Sequence, residues 1–228
     1  MKALLVFSVL FMTVTFSQAQ DIFFPTKTGT VLVYKTFDKK DKQTGMAKYI
    51  IGDIKKSGNE MEINYVYESY DAKEKFTYKD DITIKKVGDV IYFDMSDLIN
   101  KSALQQNGEI PSEVKITGNN MEVPNHPKPG DVMPDASVEM GMSMGFVNLK
   151  LTAVVTNRKV EAIEDITVKA GTFKAYKFTS DVSSTAVGIK FSSKNTDWYV
   201  KGIGVVKSET LDKNGKLMGT RELVEIQK

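Results

Sequence analysis

Alternating methionines form the stretch of this sequence with the clearest chemical potential. Met140, Met142 and Met144 are two residues apart, so on an extended strand their side chains point to one side, with Phe146 next on that side. Thioether sulfur is a soft ligand suited to Cu(I). Methionine is also flexible and polarizable, and it lines adaptable apolar pockets or fills gaps in a core. The pattern therefore leaves three interpretations open: a copper site, a pocket lining and a core-facing strand.

A serine between glycines matches the short motif of a hydrolase nucleophile, but the context of that motif is missing. Residues 141–145 read Gly-Met-Ser-Met-Gly, the Gly-x-Ser-x-Gly pattern. In α/β-hydrolases the motif joins a strand to a helix, and the catalytic acid and histidine follow it in the chain. Here residues 148–156 are strand-like, and the only histidine, His126, precedes the serine. We therefore predict no catalytic residues and a protein that is not an enzyme.

The sequence also lacks a recognisable zinc or calcium site. It has one histidine and no cysteine, whereas zinc takes about four nitrogen, sulfur or oxygen ligands. His126 lies among prolines in residues 124–134, which predicts a rigid, solvated loop. Residues 212–215 read Asp-Lys-Asn-Gly, which lacks the remaining spacing of an EF-hand and is explained by a hairpin turn. We expect no metal and no cofactor.

The first residues predict export. Lys2 gives a short positive start, residues 3–16 are almost continuously apolar, and Ala19 ends a small-residue cleavage site. This is the pattern of a secretory signal peptide, which is too short for a comfortable membrane crossing. We predict a signal peptide over residues 1–19, a single β-rich domain over residues 20–228, and no later transmembrane segment. Because the sequence has no cysteine, we expect a periplasmic or secreted protein that is not a lipoprotein.

The charge balance argues against a nucleic-acid partner. The 228 residues carry 31 basic and 29 acidic side chains, a net charge of +2, and the two signs are interspersed. Binding to a phosphate backbone needs a concentrated basic surface. With 41% hydrophobic residues, the chain is long enough to bury a sizeable core. The partners that we expect are an envelope component or an apolar small molecule.

The rest of the chain alternates strand-like runs with turn-forming residues. Residues 29–37 and 46–56 are rich in β-branched and aromatic side chains around a charged turn, which predicts a hairpin. Residues 61–68 alternate apolar and polar side chains, as a half-buried strand does. Asn214 and Gly215 form the strongest short hairpin signal. About ten to twelve strands in short connections favour an antiparallel sheet.

One short helix interrupts the predicted strands. Residues 94–106 have Asp94 or Ser96 as an N-cap, a partial apolar face and Gly108 at the end. Residues 21–28 are expected to be a lead-in to the first strand. A sheet of this many strands tends to curl or close. The predicted fold class is therefore all-β: a single curved antiparallel sheet, or an open or closed barrel, with one short helix.

Two motifs in the last third carry a family resemblance. Residues 168–173 read Val-Lys-Ala-Gly-Thr-Phe, and residues 198–206 read Trp-Tyr-Val-Lys-Gly-Ile-Gly-Val-Val. Together they resemble an uncharacterised family of exported β-rich proteins from Gram-negative bacteria, common in Bacteroidetes, in which proline usually stands at the position of Lys169. The resemblance implies a curved antiparallel sheet and a place in the cell envelope, and it supplies no catalytic residues. The two glycines of the second motif predict a bulge or sharp bend, and Trp198 a core anchor.

Together these features favour binding over catalysis. We hypothesise a non-enzymatic binding or carrier protein of the cell envelope, with an apolar ligand on the concave face of the sheet at Met140, Met142, Met144 and Phe146. One alternative is a structural or interaction protein of the envelope without a small-molecule ligand. Another is Cu(I) handling by the Met-x-Met-x-Met strand.

Overall fold

The computed structural model describes residues 22–98, 114–144, 147–186 and 189–227. Three predictions fall partly or wholly outside these ranges. They are the signal peptide over residues 1–19, the part of the helix beyond residue 98, and the binding role of Phe146.

The described part of the chain is almost entirely β-structure. Its first seven strands are β1 Val31–Asp38, β2 Gln43–Ser57, β3 Glu60–Asp71, β4 Phe76–Val87, β5 Val90–Asp94, β6 Val114–Gly118 and β7 Asn120–Pro124. The remaining strands are β8 Ala136–Met144, β9 Val147–Val168, β10 Gly171–Ala186, β11 Ile189–Val200, β12 Gly204–Asp212 and β13 Leu217–Gln227.

The predicted helix begins where expected but as a tighter turn. A 3-10 helix covers Met95–Leu98, directly after β5. Asp94 caps it, since its Oδ1 accepts a 2.8 Å hydrogen bond from the backbone N–H of Ser96. Within the ranges that the structure describes, no helix is long and apolar enough to cross a membrane.

All thirteen strands form one antiparallel sheet, which is nearly closed into a barrel. Their order is β6-β8-β9-β10-β11-β12-β13-β1-β2-β3-β4-β5-β7. The last strand of the chain, β13, pairs with the first, β1, and this pairing joins an N-terminal and a C-terminal series of hairpins. The predicted all-β class with a curved antiparallel sheet is therefore confirmed, with one strand more than the upper expectation of about twelve.

A single residue brings the two edges of the sheet together. The edge strands β6 and β7 are separated in sequence only by Asn119. The backbone N–H and side-chain amide of Asn119 donate to the carbonyl oxygens of Ser137 and Asp135, each at 3.0 Å. Its Oδ1 accepts a 2.6 Å hydrogen bond from the backbone N–H of Ser137. These bonds hold Asn119 against the start of β8, at the seam, the point where the chain passes from the edge strand β6 to the edge strand β7.

Three hairpins at one rim use the same turn chemistry. Oδ1 of Asp38, Asp71 and Asp212 accepts hydrogen bonds of 2.8–3.0 Å from the backbone N–H groups two and four residues later. These donors lower the pKa of each aspartate. The Asn214–Gly215 turn predicted from sequence is one of the three, and Gly215 adopts a φ of 80° that its missing Cβ permits.

The predicted lead-in is part of the core instead of an approach to it. Phe23 is 0% exposed and packs edge-on against the rings of Tyr176, Phe178 and Tyr199, with centroids 5.1, 6.2 and 5.8 Å away. The backbone N–H of Gly202 donates to the carbonyl of Ile22 at 2.7 Å. Phe24 lies 5.3 Å from the ring of Tyr65 on β3, so the segment before β1 packs between strands from both halves of the chain.

Trp198 is buried, as predicted, but its surroundings are charged. Its side chain is 5% exposed, and its Nε1–H donates to Glu164 at 2.7 Å. The ammonium groups of Lys177 and Lys207 each lie 5.5 Å from the ring centroid. The bend predicted from the two glycines is confirmed, because β11 ends at Val200 and β12 begins at Gly204, whose φ is 102°.

Candidate functional site

The methionine strand contributes one wall of the barrel. On β8, Val138 and Met140 are 4% and 2% exposed, whereas Met142 is partly accessible. Met144 is described only through its backbone at the end of β8, and Phe146 lies outside the described residues. Burial of Met140 suits a core-facing strand and a pocket lining equally, so the ligand-binding and copper assignments of these residues stay predictions.

A cavity of about 240 Å³ lies inside the barrel, beside the tyrosines of three neighbouring strands. Its lining consists of Tyr49, Tyr65, Tyr67, Tyr78, Ile82, Thr83, Ile84, Phe93, Asp94, Met95, Asp97, Met121 and Arg221. We call it the luminal cavity. It combines an aromatic wall, a short apolar wall and one guanidinium group, which is the usual make-up of a small-molecule site.

The aromatic wall follows from strand register. Tyr65 and Tyr67 are two residues apart on β3, so both side chains point into the barrel. Tyr49 of β2 is directly opposite Tyr67. Its ring lies 5.4 Å from that of Tyr65 and 5.2 Å from that of Tyr67, and Tyr67 lies 5.7 Å from Tyr78 of β4. Four rings from three strands therefore form one continuous surface.

The phenols of this wall are neutral hydrogen-bonding groups. Burial raises the pKa of the Tyr49, Tyr65 and Tyr67 hydroxyls above the ordinary value for tyrosine. A neutral phenol both donates and accepts hydrogen bonds. The wall can therefore contact an apolar body through its rings and a polar group through its hydroxyls.

Two methionines that the sequence pattern did not single out complete the cavity. Met95, in the 3-10 helix, is 1% exposed, and Met121 lies on β7. Met95 belongs to a core cluster with Ala136 and Val138 of β8. The inner face of β8 therefore supports the cavity wall through Met95 in the part of the barrel that the structure describes.

Arg221 brings the one guanidinium of the lining into the cavity. It lies on β13, opposite Ser208 of β12 and Thr36 of β1. Its Nη1 donates to the hydroxyl of Tyr49 at 3.2 Å, and its guanidinium carbon lies 5.4 Å from the ring centroid of Tyr34. The neighbouring Tyr49 raises the pKa of Arg221, so the side chain remains charged.

A carboxyl group on the next strand but one acts on this arginine through space. Asp197 of β11 accepts a 2.5 Å hydrogen bond from the hydroxyl of Ser208. Burial raises the pKa of Asp197, and the charge of Arg221 opposes that rise. Among the described residues no ion pair joins Asp197 and Arg221. The barrel interior therefore holds a permanent cation whose charge is not neutralised by a direct carboxylate contact.

Within the described ranges there is no group of three or more histidine, aspartate or glutamate side chains that could hold a metal ion. His126, the histidine considered in the sequence, lies instead on the surface with Asp89, 2.5 Å from its Nδ1.

Sequence reasoning missed Arg221 although a signal was present. Arg221 alternates with Gly219 and Leu223 on β13, and Leu223 is 0% exposed. An arginine on the apolar side of a strand is unusual, because arginine is seldom buried without a partner. The alternation over residues 61–68 placed Tyr65 and Tyr67 on the apolar side of a strand, but it did not mark them as part of a binding site.

The family comparison gives a match over most of the chain. The model of a family described as DUF3108-like matches residues 27–223. This confirms the predicted resemblance to an uncharacterised family, whose two motifs remain unverified as its signature. A search of the curated proteins finds no match.

Two solved structures share the fold at low sequence identity. A “putative exported protein with YmcC-like fold” from Bacteroides fragilis NCTC 9343 has a TM-score of 0.74 and 19% identity, over 91% of this chain and 99% of that chain. A “putative lipoprotein” from Parabacteroides distasonis ATCC 8503 has a TM-score of 0.73 and 21% identity, over 90% and 98%. The “hypothetical lipoprotein YmcC” from Escherichia coli (K12) has a TM-score of 0.33 and 8% identity, over 86% and 83%.

Proposed function

The chain belongs to the DUF3108-like family, and within it we propose that this protein is a non-enzymatic binding or carrier protein of the cell envelope. Its ligand is a small molecule held in the luminal cavity. The observation that carries the proposal is a cavity of about 240 Å³ in the barrel that is lined by four tyrosines.

The size of the cavity supports a ligand the size of one ring or a short chain. An apolar cavity of roughly 150 Å³ already binds benzene, and the luminal cavity is larger, at about 240 Å³. It is somewhat below the roughly 300 Å³ at which pockets for drug-sized ligands begin. A short amphiphile, or one end of a longer one, fits these limits.

Assignment to the envelope rests on the predicted signal peptide and on the relatives. One similar structure is described as a “putative exported protein” and another as a “putative lipoprotein”. A lipoprotein among the similar structures means that the absence of a lipid anchor from this protein stays a prediction.

The non-enzymatic character of the proposal rests on the groups around the cavity. They are neutral phenols, apolar side chains, one guanidinium, the carboxyls of Asp94 and Asp97, and the hydroxyl of Thr83. That hydroxyl donates to the side-chain amide oxygen of Asn64 at 2.7 Å. Nucleophilic catalysis needs a nucleophile and a base within hydrogen-bond reach of each other. The lining offers a good binding surface without such a pair among the described residues.

Blocking the cavity tests the proposal. Ile82 lines the cavity, so Ile82→Trp places a larger ring in it. The matched control is Val132→Trp at a site that is 75% exposed. Native mass spectrometry of each protein, purified from the envelope, is combined with titration of a fluorescent apolar probe. We expect bound small molecules and probe binding for the control and for the unmodified protein, and loss of both for Ile82→Trp.

The same experiment separates the alternatives. Absence of any co-purified molecule and of probe binding in the unmodified protein would refute the luminal-ligand proposal. Recovery of one salt-resistant protein partner would then support a structural or interaction role. For the copper hypothesis, Cu(I) titration of Met142→Leu is decisive, since equal Cu(I) affinity in variant and unmodified protein would exclude a site at this methionine.

A further inference from the structure

We infer that the ligand of the luminal cavity is an amphiphile with an oxyanion, a carboxylate or a phosphate, which Arg221 binds. The inference rests on the proposed function and specifies the chemistry of its ligand. It is carried by the contrast between Arg221 and Arg158, the two arginines of the sequence.

Arg158 shows what a structural arginine looks like in this barrel. It is 4% exposed, and its Nη1 and Nη2 donate to the carbonyl oxygens of Pro134 and Glu122, both at 2.7 Å. One terminal nitrogen is therefore bound to the backbone of the edge strand β7, and the other to the backbone of the segment before β8. This guanidinium ties β9 to the chain on either side of the seam, and it does not line the luminal cavity.

Arg221 uses its donors very differently. A guanidinium has five N–H donors in a planar fork that matches a carboxylate or phosphate. Within the described residues, Arg221 donates one hydrogen bond, to Tyr49, and forms no ion pair. Its side chain lines the luminal cavity, and no second acceptor for its donors lies among the described residues. An oxyanion is the group that would both neutralise its charge and satisfy several of these donors.

The tyrosines next to Arg221 provide the rest of the head-group site. The hydroxyl of Tyr34 is engaged with the carbonyl of Val205 at 2.8 Å, so this ring is held under the guanidinium as a fixed platform. The Tyr49 hydroxyl already accepts from Arg221 and keeps its own proton free to donate. An oxyanion on Arg221 can therefore accept a second hydrogen bond from Tyr49.

The rest of the lining accommodates the apolar body of the ligand. With the oxyanion at Arg221, the tyrosine wall and the two methionines, Met95 and Met121, remain to contact an apolar chain.

Three probes with the same chain and different heads test this inference on the purified protein. Isothermal titration with octanoate, octyl phosphate and 1-octanol compares a carboxylate, a phosphate and a neutral hydroxyl. A hydrogen-bonded charge contact corresponds to about tenfold to a hundredfold in affinity. We expect octanoate, octyl phosphate or both to bind more tightly than 1-octanol by about that factor, and the tighter of the two identifies the source of the oxyanion.

Variants assign the preference to the arginine. Arg221→Gln should reduce octanoate and octyl phosphate to the affinity of 1-octanol while leaving 1-octanol unchanged, and Arg221→Lys should retain part of the preference. Lys55→Gln removes a cation whose side chain is 73% exposed and should change nothing. Circular dichroism checks that each variant is folded.

The outcomes separate this inference from the proposed function. Equal affinity of all three probes for the unmodified protein, or an anion preference that survives in Arg221→Gln, overturns the oxyanion assignment and leaves luminal binding intact. Failure of all three probes to bind overturns luminal binding itself, and the head-group assignment with it.

Discussion

Replacing Phe23 by alanine tests whether the segment before β1 belongs to the core. The ring is 0% exposed and contacts Tyr176, Phe178 and Tyr199 edge-on. Removing a fully buried phenylalanine destabilises a protein by about 3–5 kcal/mol, which combines lost apolar burial with the cavity left behind. In a domain of this size each kcal/mol lowers Tm by about 2–4 °C. We therefore expect a fall in Tm of roughly 6–20 °C.

Differential scanning calorimetry and urea unfolding measure this change. The matched control is Phe191→Ala, which removes the same ring from a position on β11 that is 58% exposed. An exposed substitution usually changes the free energy of unfolding by less than about 0.5 kcal/mol. A loss below about 1 kcal/mol for Phe23→Ala, comparable to an average point mutation, would contradict its role as a core residue. The segment would then be a lead-in, as the sequence suggested.

Three further substitutions test the seam and the two interior charges. Gly118→Ala should lower the free energy of unfolding by about 1–3 kcal/mol, because its Cβ would lie 2.3 Å from the carbonyl oxygen of Ser137. The control Gly141→Ala should be near neutral, because no atom lies within 4 Å of the added Cβ. Equal urea midpoints for the two variants would refute the seam argument. Arg158→Gln should lower the free energy of unfolding by about 3 kcal/mol or more, because it breaks two buried charge-assisted hydrogen bonds. An unchanged urea midpoint would contradict a structural role for Arg158. Burial raises the pKa of Asp197 in the folded protein. The wild-type carboxyl therefore favours folding most below its unfolded pKa of about 4, where it is protonated in both states. This contribution to stability is lost as the pH rises through the folded pKa. Asp197→Asn should therefore stabilise at pH 7 and lose this advantage at pH 4, and the opposite trend in urea midpoints would refute it.

Local features of the sequence predicted the hairpins correctly because their causes are local. The alternation in β3 follows from the two-residue period of a strand, and Ile63 and Tyr65 are 0% and 8% exposed as it requires. The turn at Gly215 depends on a φ that glycine tolerates, and the bend before Gly204 has the same origin. Each of these features is decided within a few residues of chain.

Closure of the barrel and the place of Phe23 depend on contacts between distant parts of the chain. Asn119 joins the two sheet edges only because β6 and β7, neighbours in sequence, pair with β8 and β5 respectively. Nothing in the composition of residues 114–124 indicates that β6 and β7 pair with different strands. Phe23 appears in the sequence as part of a short segment containing a proline, and its burial depends on side chains more than 150 residues away.

The candidate site was missed for the same reason, and the two arginines make this clear. Arg221 and Tyr49 are 172 positions apart, yet they are hydrogen-bonded because β13 pairs with β1 and β1 with β2. Arg158 and Arg221 both lie on β-strands, and the sequence alone does not show what the donors of either side chain contact. What separates them is what surrounds their guanidinium groups. Arg158 donates to two backbone carbonyls, whereas Arg221 lines a cavity and donates, among the described residues, only to Tyr49. If binding depends on those unused donors, Arg158→Gln and Arg221→Gln should divide the protein's properties cleanly, the former lowering the free energy of unfolding and the latter the affinity for an oxyanion.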